Sequence, residues 1–144
     1  MDFDPRRDYP LGGRRPDLVR TPAGTPLAEL TLAAARDGAL AAGELRATPE
    51  TLRRQADVAR AAGRGPLADT LERAAELTAV PDDELLEVYT ALRPGRSTPD
   101  ELERWAARLE GNGAPLTAAF VREAAAVARA GAPAPAPASS GDGR

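Results

Sequence analysis

Asp82, Asp83, Glu84 and Glu87 form a tight group of acids, the kind of oxygen donor a hard divalent cation requires. The ligand spacing of a calcium loop and its turn glycine are absent, however. Acids at the start of a helix complement the positive end of the helix dipole, and this is the reading the pattern favours. Ser97 and Thr98 carry hydroxyls that could act as nucleophiles only beside a base. The sequence supplies none of the usual ones: it has no His and no Cys, and all 19 cations are Arg. These two residues therefore read as helix caps. The same absences remove the ligands of zinc, copper and iron-sulfur sites and make disulfides impossible. Gly63, Arg64 and Gly65 look superficially like a phosphate loop, but there is no Walker lysine and the residues before them follow a helical pattern. Two catalytic carboxylates would need a shaped cleft, and aromatics amount to only 3% of the chain. No catalytic, cofactor-binding or metal-ligating residue is expected here.

The elements that position these residues are helical. Pro5, Pro10, Gly12, Gly13, Pro16, Pro22 and Gly24 punctuate the first 26 residues, which predicts an extended N-terminal arm over 1–26. Tyr9, Leu11, Leu18 and Val19 give that arm apolar side chains, which suits one that becomes ordered on another subunit; a disordered arm is the alternative. A helical domain is expected over 27–130, beginning with a short helix that follows Thr31, runs through Leu32 to Asp37 and stops at Gly38. Thr48 and Pro49 open a second helix with Leu52, Ala56, Ala59 and Ala62 on one face and Gly63 at its end. A third starts near Pro66 and carries Leu67, Leu71, Ala74, Ala75 and Leu77. The fourth follows Pro81, with Leu85, Leu86, Val88, Tyr89 and Leu92 as its apolar positions. Thr98 and Glu101 form a capping box around Pro99, so a fifth helix presents Leu102, Trp105, Ala106 and Leu109 as a core stripe. Gly111, Asn112 and Gly113 break it. A last helix from Pro115 to about Ala130 presents Leu116, Phe120, Ala124 and Val127. The alternating Ala and Pro over 131–144 predict a disordered tail or stiff spacer. No strand pattern and no fixed-period repeat is visible, and the fold is read as all-α, a small bundle of short helices.

Net charge is -3, which argues against a nucleic-acid partner. No apolar stretch approaches the roughly 18 residues of a spanning helix, and the N-terminus lacks the apolar core of a secretory signal. A cytoplasmic protein without membrane contact is expected. In the arm, Arg6, Arg7, Arg14, Arg15 and Arg20 alternate with Asp2, Asp4, Asp8 and Asp17, a balance of sign that suits a protein surface better than a polyanion. Arg93 and Arg96 flank a Pro-Gly turn, a place that suits either solvated turn residues or interface anchors. Tyr9, Leu11, Arg93 and Arg96 are the candidate partner-contacting residues.

One block exceeds general helical grammar: Thr48 to Glu110, with the run RAAELTAVPDD at Arg73 to Asp83 and LRPGRS at Leu92 to Ser97, followed by AAFVREAA at Ala118 to Ala125 and preceded by DYPL at Asp8 to Leu11. It closely resembles the small subunit of adenosylcobalamin-dependent propanediol and glycerol dehydratases, over nearly everything from Asp8 to about Ala130. The resemblance implies an assembly of large, medium and small subunits, two copies of each. Adenosylcobalamin would be held between the large and medium subunits, and the substrate in the large subunit's barrel. There the adenosyl radical removes a substrate hydrogen, a hydroxyl migrates and water leaves to give an aldehyde. The small subunit would contribute no catalytic group and would stabilise the large one, wrapping it with its arm. Gly95 stands where an aromatic is common in the family, and Gly111 to Gly113 interrupt a usually continuous connection. Few residues precede Asp8, so the extension that directs some relatives into bacterial microcompartments is not expected, nor is encapsulation. A free-standing helical adaptor for a different protein is the alternative function. Whether propanediol or glycerol is preferred lies outside this chain's residues.

Overall fold

The computed structural model of the chain describes residues 3–131, and nearly all of the expected Ala/Pro tail lies outside the described residues. Seven α-helices follow in order: α1 Leu11–Arg14, α2 Leu32–Arg36, α3 Pro49–Ala61, α4 Gly65–Leu77, α5 Asp82–Ala91, α6 Pro99–Gly111 and α7 Pro115–Gly131. Two short 3₁₀ turns lie between α1 and α2 and one between α2 and α3, and the Arg20–Pro26 bridge is the one β-type pairing among the described residues.

The helix ends follow local chemistry. The Thr31 hydroxyl accepts from the Ala34 amide at the start of α2, and Thr48 accepts from Thr51 at the start of α3. At α6 the capping box is complete: Thr98 accepts from the Glu101 amide, and the Glu101 carboxylate accepts from the Thr98 amide at 2.7 Å. Gly63, with φ of 74°, occupies the left-handed conformation that lets the chain reverse between α3 and α4.

Two helical hairpins, α3–α4 and α6–α7, carry most of the tertiary contact, and α4 packs on α7 to join them. The main core gathers Val80, Val88 and Ala91 with Leu102, Ala106 and Leu109 of α6 and Ala118, Val121 and Ala125 of α7. A smaller core under α3–α4 consists of Ala56, Ala59 and Ala68, with Leu71 packed against it.

Two apolar stripes expected from periodicity are placed differently. On α7 the buried residues are Thr117, Ala118, Val121 and Ala125, whereas Leu116, Phe120 and Val127 are exposed. The helix carries two stripes at helical spacing, and the one with small side chains faces its neighbours because it allows closer approach. On α5 the expected five positions span too wide an arc for one face. Val88 and Ala91 turn inward with Glu84, leaving Leu86 and Tyr89 outside. Ala62, expected on the buried face of α3, is exposed.

Two carboxylates, Glu76 and Glu84, tie these elements together. Glu76 of α4 caps α7 from outside, accepting from the Leu116 and Thr117 amides at 2.9 Å each and from the Thr117 hydroxyl. Glu84 is only 8% exposed and receives Arg108 at 2.9 Å and the Asn112 side-chain amide at 3.1 Å. Leu109 is fully buried, so Leu109→Ala is expected to lower stability by about 2–5 kcal/mol. Phe120→Ala, at a half-exposed ring beneath Arg73, should stay within about 1 kcal/mol. Urea unfolding followed by circular dichroism of the two variants checks the contrast.

Candidate partner interface

The N-terminal segment expected as an extended arm is folded back on itself by short turns. A tight turn over Thr21–Thr25 is closed by the Thr21 amide donating to the Thr25 carbonyl and the Thr25 amide to the Thr21 hydroxyl. A charged knot holds the region before it. Asp8 is buried and accepts from Arg7 Nε at 2.7 Å, from Arg15 Nη1 at 3.3 Å and from the Asp4 amide at 3.0 Å. Arg15, itself buried, forks onto Asp17 at 2.8 Å. Leu11 is buried beside this knot, and the Tyr9–Pro10 peptide is cis. Arg7, followed by the Asp4 amide, holds the Asp8 carboxyl well below the usual carboxylate range.

The segment is also fastened to the helices. Arg54 of α3 donates to the Leu18 carbonyl at 2.7 Å, and the Thr21 and Thr25 hydroxyls both donate to Glu44. Arg46 forks onto Asp82 at the start of α5, which lowers the Asp82 pKa through that hydrogen bond.

Of the four candidate contact residues, Tyr9 is exposed and Leu11 is buried, and both line a groove between the N-terminal segment and α3–α4. Arg93 and Arg96 are exposed on the α5–α6 turn, where Gly95 at φ 70° takes a conformation an aromatic would resist. Arg96 lines a shallow cleft with Leu86 and Trp105, so the structure places the two pairs on separate surfaces. The acids at 82–87 do not converge either: Asp82 is committed to Arg46 and Glu84 to Arg108 and Asn112. Among the described residues no group of three or more acids could hold a metal ion, and no helix is long and apolar enough to cross a membrane.

Large apolar side chains lie exposed as neighbours: Leu86 and Tyr89 on α5, Leu116 and Phe120 on α7, and Tyr9 with Leu67 across the groove. Apart from Tyr9, expected as a contact residue of the arm, these are residues that helical periodicity placed among the apolar positions.

A family model described as the dehydratase small subunit matches residues 5–131, the N-terminal segment and both hairpins included. The chain belongs to this family. It is similar to the propanediol dehydratase small subunit of Citrobacter freundii, 53% identical over 121 residues that cover 83% of this chain and 70% of the relative. Its similarity to the propanediol dehydratase small subunit of Salmonella typhimurium is 52% over 119 residues, covering 82% and 69%. As a dehydratase small subunit the chain has the other dehydratase subunits as partners. Periodicity placed Leu67, Leu86 and Phe120 among the apolar helix positions and the structure leaves them exposed, because a helix with two apolar stripes does not say which one a neighbour covers.

The depressed Asp8 pKa makes the knot pH-sensitive. Its stabilisation is fully present above roughly pH 5, where the carboxyl would be ionised unfolded or folded, and decreases as pH falls below about 4. Amide exchange over residues 4–18 should therefore accelerate in acid relative to α6. Asp8→Asn should show fast exchange in this segment already at pH 7.

Proposed function

We propose that the chain serves as the small, non-catalytic subunit of an adenosylcobalamin-dependent dehydratase that converts propanediol or a related 1,2-diol to an aldehyde and water. The observation that carries this reading is the pairing of the family match with a surface on which apolar neighbours stand uncovered while the core beneath is built largely of alanine. A chain that places Leu86, Tyr89, Leu116 and Phe120 outside and Ala106, Ala114 and Ala118 inside gains from burying the former against another protein. The relatives named as propanediol dehydratase small subunits supply the substrate class.

In this reading the partners are a large and a medium subunit, two copies of each subunit forming the enzyme in the cytoplasm. The residues of this chain do not fit a cobalamin site. No imidazole or thiolate exists to ligate cobalt, and the carboxylates of Asp8, Glu84 and Glu76 are already held by Arg15, Arg108 and backbone amides. In this reading the cofactor and the substrate are held by the other subunits. The domain layout that goes with this function is an N-terminal segment over 1–26, a helical body over 27–130 and a tail over 131–144. Tyr9, Leu11, Arg93 and Arg96 are assigned to the contact surface, Leu11 from beneath by shaping the groove wall.

Co-expression with the large and medium subunits should yield one complex containing all three. The isolated chain, given adenosylcobalamin and propanediol, should form no aldehyde. Recovery of a stable large–medium complex that never retains this chain would overturn the assignment, as would turnover by the chain alone.

A further inference from the structure

The groove beneath Tyr9 has a composition that the rest of the surface lacks. Tyr9 walls it on one side and Val58, Leu67 and Leu71 on the other, around an open volume of about 710 Å³. Tyr9 is 61% exposed and Leu67 38%, so this apolar surface is presented to solvent. The charged residues of the lining are two arginines, Arg6 and Arg64, and no acid. Neither guanidinium has an ion pair or side-chain hydrogen bond among the described residues. Arg15, Arg46, Arg60, Arg108 and Arg122 each sit against a carboxylate, and the other clefts of the described surface include acids such as Asp82, Glu101 and Glu123 in their walls. In a chain of net charge -3, an apolar groove whose charged lining consists of two arginines and no acid is a local inversion of sign.

The two properties together define what covers it. A purely apolar segment would strip water from two guanidiniums without pairing them, and a purely acidic one would leave the Leu67 and Val58 surface wet. We infer that the groove receives a segment of another dehydratase subunit in which a leucine or aromatic side chain stands beside one or two carboxylates. The inference rests on the subunit reading above and narrows it to one surface and one partner chemistry. The groove residues all fall within the span matched by the family, which ties the surface to the function the family shares. Arg is suited to this role because its planar fork takes a carboxylate through two hydrogen bonds at once.

The test uses the assembled complex of large, medium and small subunits. A photo-reactive aromatic residue introduced at Leu67 should cross-link to a large- or medium-subunit peptide bearing Asp or Glu next to an apolar residue. The same group introduced at Leu32, exposed but outside the groove, serves as the comparison. Arg6→Glu combined with Arg64→Glu should weaken retention of the small subunit on gel filtration by about tenfold or more at low salt, with the helical circular dichroism of the chain unchanged. Should that double variant fail to fold, the cross-link alone decides. The inference is overturned by a cross-link to a second copy of this chain, by no cross-link from the groove, or by undiminished retention of the folded double variant. Failure of the wild-type chain to join the complex at all is a separate result, and it removes the subunit reading before the groove is reached.

Discussion

Close packing of alanine faces between helices is the interaction on which the rest of this molecule depends. Ala56, Ala59 and Ala68 fill the contact of one hairpin, and Ala106, Ala114, Ala118 and Ala125 much of the other. Small side chains let the helices approach closely and lose almost no rotamer freedom on burial. Each buries little apolar area, however, so the hydrophobic return per residue is low. Leu109 and Val121 are the largest side chains that are fully buried. The consequence is a body whose shape is well defined by helix contact but whose larger apolar residues remain available on its outside.

Carboxylates compensate at the joints. Glu76 gives the start of α7 hydrogen-bond acceptors that no local residue supplies, and it does so from α4, so capping one helix also fixes the angle between two hairpins. Glu84 works similarly from α5, holding Arg108 and Asn112 at the end of α6. Its burial is tolerable because each oxygen is paired. Arg108 in turn lies over the Trp105 ring at 5.5 Å, so this ion pair continues into an aromatic contact.

The N-terminal segment extends the same logic. It has few apolar residues to bury, and it is organised by charge, with Asp8 at the centre of a knot that includes Arg7 and Arg15. Fastened by Arg54 and Glu44, it forms a wall instead of hanging free, and the groove beneath Tyr9 exists only because that wall stands beside α3 and α4. The segment thereby presents a partly uncovered apolar surface held in place by hydrogen bonds to the helices.

The sequence by itself determined the helical class, the helix starts and the absence of customary catalytic chemistry. Thr31, Thr48 and the Thr98–Glu101 box act within three or four residues, so their effect is written locally, and a chain without His, Cys or Lys cannot acquire those groups by folding. The ordered motifs from Asp8 to Ala125 likewise pointed to the family that the comparison established. Tertiary structure alone decided which stripe of α7 is buried, because Leu116, Phe120 and Val127 fit helical spacing as well as Ala118, Val121 and Ala125 do. It also decided that Glu76 and Glu84 are joints, since their partners lie 24 to 41 positions away. Periodicity reports that a face exists; only the neighbouring helix, and the distance its side chains permit, selects the face that water loses.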